Sequence, residues 1–288
     1  MKAVFRHELS SFFTGLSGYV FGGFVLLFAG IFTMVLNLNA GYASFEYVVG
    51  NMSFVFLVIV PILTMRILAE ERHQKTDQLL YSLPLTMTKV VLGKYCAMLV
   101  VFLVPVAIMS LYPVILSGYG SLNLPGAFGA IFGFFLLGAA LLAIGMYISS
   151  ITESQAVAAG LCFVVMLVNY FIADLSGYVS TTAFASLVAF MVLILAGCGV
   201  LYLMTKNSFL SLMCAAVLEA GMVLLYTFQS SLFEGLFPQI MEGISLYERF
   251  YDILNGIFDL TGVVYFLSIV AVFLFLSVQS LEKRRWSE

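Results

Sequence analysis

Charge is what this chain has least of: Lys, Arg, Asp and Glu make up 9% of its 288 residues, where soluble domains carry about a quarter. Hydrophobic residues reach 62%, more than a soluble fold of this size has room to hide. Lipid accepts such a surface, provided that every backbone group is paired internally. Histidine is nearly missing as well. His7 and His73 stand alone, outside any H-E-x-x-H pattern, and no Gly-x-Ser-x-Gly elbow occurs, so no acid, base or metal constellation for catalysis assembles from sequence. Gly93-Lys94 lacks the upstream glycine and the following Ser or Thr of a phosphate loop, which excludes nucleotide hydrolysis by this chain alone. A net charge of −3 without a basic stripe among aromatics argues against a nucleic-acid partner. The four cysteines, Cys96, Cys162, Cys198 and Cys214, sit in apolar runs without C-x-x-C spacing and read as small buried hydrophobes.

What is present is a series of apolar runs of about 20 residues, the length of a spanning helix rather than a barrel strand. The reading is an all-α polytopic membrane protein of about eight transmembrane helices: Gly18–Leu38, Tyr47–Met65, Tyr95–Ser117, Gly126–Ser149, Ala156–Ala173, Ala183–Met204, Ser208–Phe228 and Gly262–Leu281. Lys and Arg resist translocation and mark the inner side. Threading these spans places eleven of the twelve basic residues on one side and leaves Arg249 outside, so both termini are expected to be cytoplasmic. The sixth and seventh spans are joined only by Thr205-Lys206-Asn207. A re-entrant pair and a tight hairpin of two full spans fit equally well there. Nothing in composition divides the chain, which reads as one transmembrane domain over 1–288. Glu8, Ser10 and Ser11 interrupt the N-terminal region, so a cleaved signal peptide is not expected.

Ahead of the first span, Phe5, Leu9, Phe12, Phe13 and Leu16 share one helical face, opposite Arg6, His7, Ser10, Ser11 and Thr14. Residues 1–17 therefore read as an interfacial helix, with Gly15 and Gly18 turning the chain into the membrane; a cytoplasmic extension of the first span is the alternative. Residues 66–94 form the one sizeable cytoplasmic loop. Within it Thr76 has the character of a cap, Asp77 suits a helix N-terminus and Pro84 ends the segment, leaving Leu79, Leu80 and Leu83 as an apolar ridge. Such a ridge beside charges suits a groove on a soluble partner, while a solvated juxtamembrane loop accounts for the same charges. Residues 229–261 form an outer amphipathic segment with Glu234, Glu242, Glu248, Asp252 and Asp259 against Arg249. Ser245 and Glu248 have capping-box spacing, predicting a short helix that ends at Gly256 and lies half sunk in the interface.

Glu219 is the one acid well inside a predicted span. It is a candidate intramembrane polar site, read either as a transport carboxylate or as a group facing a wet cavity or a neighbouring helix. Asn51 and Asn169 are placed to bond across helices, and Gly18-x-x-x-Gly22 and Gly129-x-x-x-Gly133 to let helices approach.

The run Met65-Arg66 to Glu70-Glu71-Arg72, then Thr76-Asp77-Gln78-Leu79-Leu80, Ser82-x-Pro84 and Leu92-Gly93-Lys94, resembles the corresponding region of ABC-2 type ABC transporter permeases. Glu8-Leu9-x-x-Phe12-Phe13 with Gly18-Tyr19-Val20-Phe21, and the stretch from Arg249-Phe250 to Leu281-Glu282-x-x-Arg285-Trp286, are similar to the branch related to gliding-motility permeases. The resemblance implies a non-enzymatic membrane subunit, for export, paired with a second copy or a related permease. It also implies binding to a separate ABC ATP-binding subunit that holds the ATP and Mg, with no cofactor in this chain. It makes Glu70, Glu71, Arg72, Thr76, Asp77, Leu79, Leu80 and Leu83 the ATPase-coupling residues, and Phe5, Leu9, Phe12 and Phe13 part of a transmission helix. The family core has six spans, so the pair near Ala183–Phe228 is extra. The cell membrane of a bacterium or archaeon is the expected location. A stand-alone secondary transporter or channel is the alternative, with Glu219 as its only coupling charge.

Overall fold

The structure, a computed structural model, describes residues 1–69, 86–256 and 260–287. Its helices, in chain order, are α1 (Lys2–Thr14), α2 (Ser17–Phe32, continued by a wide turn over Thr33–Asn39), α3 (Glu46–Met52), α4 (Phe56–Thr64), α5 (Met87–Met109), α6 (Leu111–Ser117), α7 (Leu124–Ile151), α8 (Gln155–Ser176), α9 (Ala183–Thr205), α10 (Ser208–Phe228), α11 (Leu236–Ile244), α12 (Leu246–Leu254) and α13 (Leu260–Ser287). No strand occurs among the described residues. The all-α polytopic architecture is thus observed. Seven described stretches are long and apolar enough to cross a membrane: Ser17–Asn39, Glu46–Thr64, Met87–Ser117, Leu124–Ile151, Gln155–Ser176, Ser211–Phe228 and Leu260–Arg284. The eighth expected span is α9, 23 residues long, about 34 Å at 1.5 Å per residue; its described apolar part is Ala183–Gly199.

The described contacts form two compact units, Met1–Val168 with Arg249–Glu288, and Asn169–Glu248. In the first, α7 is the centre, with α3, α4, α5 and α13 packed on it. Asn123 caps α7 by accepting the Gly126 N–H, and Pro125 sits in the first turn, where its missing donor costs nothing. Gly138 makes the packing close: a Cβ there would fall 2.4 Å from the Phe102 ring. Around it Phe56 and Phe134 lie 4.4 Å apart and Phe102 stacks on Phe135 at 5.6 Å, an aromatic cluster that adds directional attraction to plain burial.

One end of this unit differs from expectation. The third spanning helix begins at Met87, not Tyr95, after an extended Thr86, so residues 87–94 of the expected loop are helix. The short helix α12 starts as predicted, with the Glu248 N–H donating to Ser245 Oγ at 3.2 Å, and Gly256 turns the chain at φ 82°. Its apolar face packs on protein, where Phe250 and Ile253 are buried. Ile253 lies over Gly133, where a Cβ would be 3.0 Å from it, and Tyr251 Oη is 3.3 Å from Ser53 Oγ. Gly133 thus serves close approach, whereas Gly129 and Gly22 face open space. Asn51 donates to Tyr47 O of its own helix rather than across helices, because its side chain points outward.

The second unit is built on the α9–α10 pair. Thr182 Oγ1 caps α9 by accepting the Ala185 N–H, and Lys206 ends it in the left-handed region at φ 51°. This single residue lets α10 start at Ser208 and return alongside, with Ser211 Oγ donating to Cys198 O. Phe233 then packs on Phe190 and Tyr226. Asn169 holds the break between the last two short helices, donating to Ile244 O and accepting from Leu246 N at 3.3 and 3.2 Å.

Candidate coupling site

Helix α1 does not merely lie on a surface; it packs along the first turns of α5 and against α2. The sequence makes this contact at two adjacent positions. Gly93 makes room for the start of α1, since a Cβ there would stand 3.2 Å from the Val4 side chain and 3.3 Å from the Met1 carbonyl oxygen. One residue on, Lys94 turns inward and is 1% exposed. Its Nζ donates to Glu8 Oε1 of α1 at 2.6 Å and to Ile67 O at 3.1 Å. A buried ammonium is tolerated only when a counter-charge and further acceptors replace its water, and Glu8 with the Ile67 carbonyl does so. Two hydrogen bonds thereby join α1, the end of the second span and the start of the third.

Ile67, Leu68 and Ala69 are buried, and the chain leaves the second span under a second restraint. Ser149 Oγ, near the C-terminal end of α7, accepts from the N–H groups of Leu68 and Ala69 at 3.3 and 3.1 Å. The same end of α7 holds the last helix, as Ser280 Oγ donates to Ser150 O at 3.1 Å and Arg284 donates to Ile151 O and to Glu153. Five helices, α1, α4, α5, α7 and α13, are therefore tied together where the described chain stops at 69 and resumes at 86.

The site residues expected from sequence fall into three groups. Glu70, Glu71, Arg72, Thr76, Asp77, Leu79, Leu80 and Leu83 lie outside the described residues. Phe12 is buried, and Phe5, Leu9 and Phe13 are half-buried on the inward face of α1, while Arg6, His7, Ser10, Ser11 and Thr14 are exposed. Glu219 sits in the middle of α10, half-buried, with Oε1 enclosed and without a hydrogen-bond partner. Among the described residues no ion pair joins it to another group, and no cluster suited to a metal ion exists.

Sequence reasoning passed over Glu8 with Lys94, and Ser149. Lys94 counts in the charge asymmetry as a flanking base, yet it is a buried structural cation. Its partner is 86 residues away, a distance at which no periodicity speaks.

The family model for the ABC-2 family transporter protein matches residues 28–286, nearly the whole chain. No curated protein matches it. The chain belongs to the ABC-2 family, and is a membrane-embedded permease component of an ABC transporter.

Proposed function

We propose that this ABC-2 family chain is the permease subunit of an exporter in a bacterial or archaeal cell membrane, working as a dimer with a second copy or a related permease. Two copies of a separate ATP-binding subunit, carrying ATP and Mg2+, drive it from the cytoplasmic side, where both termini lie. Residues Thr76–Leu83 form the element that the ATPase grips, with Leu79, Leu80 and Leu83 as its apolar anchors and Glu70, Glu71, Arg72 and Asp77 around them.

The observation that supports this reading is the Lys94 node. The buried ammonium links α1 to Ile67 and to α5, which are the two strands of chain leading into and out of the 70–85 segment. A displacement of that segment reaches α1 and both spans together. Nucleotide-driven closure of the partner then needs to favour one arrangement by only a few kcal/mol to shift the population.

The test is to purify the intact complex in mild detergent with Leu79→Asp and Leu80→Asp together. Recovery of the ATPase with the permease is expected to fall about tenfold or more, as when central apolar anchors are lost, while the permease remains inserted. Unchanged stoichiometry would remove the coupling role from this segment.

A further inference from the structure

A groove of about 300 Å³ runs between the first turns of α5 and the last turns of α13. Its walls are Val91, Leu92, Leu274, Phe275 and Val278, and its polar members are Thr88, Gln279 and Glu282. The order along the two helices matters. On α13 the apolar members come first and Gln279 and Glu282 last; on α5 Thr88 comes first and the apolar members follow. All three polar side chains thus gather at one end, the end bearing Lys89 and Lys283, and the apolar wall continues toward the middle of both spanning helices. Among the described residues none of the three makes a side-chain hydrogen bond or ion pair. Glu282 is half-buried, a carboxylate with its acceptor capacity unspent beside an apolar slot.

Both walls are spanning helices, so the slot opens onto acyl chains. An occupant must be apolar along most of its length and offer donors and positive charge at the interfacial end, which is the chemistry of a phospholipid with a primary amine in its head group. We infer that this groove is a specific site for one such lipid, with an acyl chain along Val91, Leu92, Leu274, Phe275 and Val278, and its ammonium on Glu282. Lys89 and Lys283, both exposed and each next to a polar member of the groove, supply positive charge for the phosphate. This site depends on the membrane-spanning fold alone and not on the coupling proposed above.

The full-length chain carries one tryptophan, Trp286. Replacing it by Phe and introducing Phe275→Trp places a reporter on the groove, because Phe275 lies at its exposed edge. The protein is reconstituted in phosphatidylcholine nanodiscs with either phosphatidylethanolamine or phosphatidylglycerol brominated on the acyl chains, and fluorescence quenching is titrated. Half-quenching is expected at about fivefold less of the ethanolamine lipid, the size of one partly exposed ion pair, with the preference abolished by Glu282→Gln. Equal quenching by the two lipids in the parent protein would reduce the groove to ordinary lipid contact and overturn the assignment. Absence of quenching by either would mean that protein covers this face, and would overturn it too.

Discussion

Helices α7 and α10 carry the same kind of signal, an apolar run interrupted by small residues, and use it in opposite ways. In α7, Gly133 and Gly138 are spaces already filled, by Ile253 and by the rings of Phe102 and Phe56. In the hairpin unit, Gly197 and Gly199 of α9 and Gly221 of α10 meet nothing within 4 Å, and Leu212, Val217 and Leu224 are exposed. Small residues permit close approach in lipid but do not supply the partner. Hydropathy marks both helices as spans; only the packing separates a helix enclosed by its own chain from one whose faces that chain leaves exposed.

The largest test of that contrast compares one lysine from each unit. Lys94→Met strands the partly buried Glu8 beside a buried carbonyl and is expected to cost about 3–5 kcal/mol, whereas Lys206→Met, at an exposed turn, should stay within about 0.5 kcal/mol. Unfolding of the purified protein in detergent reads both, and adding Glu8→Leu to Lys94→Met should recover most of the loss. Equal costs for the two single variants would erase the distinction between the units. Next in size is a pair of glycines. Gly138→Leu overfills the aromatic cluster and should cost about 1–3 kcal/mol; Gly197→Leu points into open space and should be neutral or gain up to about 1 kcal/mol from helix propensity, as the same melts would show. The smallest effects sharpen the account inside the hairpin unit. Asn169→Ala removes two backbone hydrogen bonds and is expected to cost about 1–2 kcal/mol, against about 1 kcal/mol or less for Ser211→Ala. A reversed order would move the hold on this unit from the break at Ser245 to the hairpin.

Local chemistry was the legible part of the sequence. Run length against bilayer thickness located the spanning helices, the inward face of α1 followed from its spacing, and Ser245 caps α12 where the capping box placed it. Features that depend on what lies opposite were not legible. Met87–Lys94 carries two lysines and so reads as loop, yet Lys94 is enclosed because Glu8 meets it. The amphipathic pattern of α12 marks an apolar face but does not say that Gly133 and Ser53 lie beneath it. Asn51 and Asn169 look alike as residues, and only Asn169 faces a broken backbone with groups to satisfy. The eight residues expected to couple to an ATPase fall within 70–85, beyond what the structure describes.

Helix α7 touches both extremities of its unit. Ser149 grips the departing end of the second span, and Gly133, sixteen residues earlier and thus about 24 Å away, bears the short helix that carries Ile253. A helix fastened at those two points is a connecting rod between the cytoplasmic-loop end of the second span and α12. What happens to the chain at 67–69 is thereby felt, through one continuous helix, at the phenylalanine rings and at the short helix beside them.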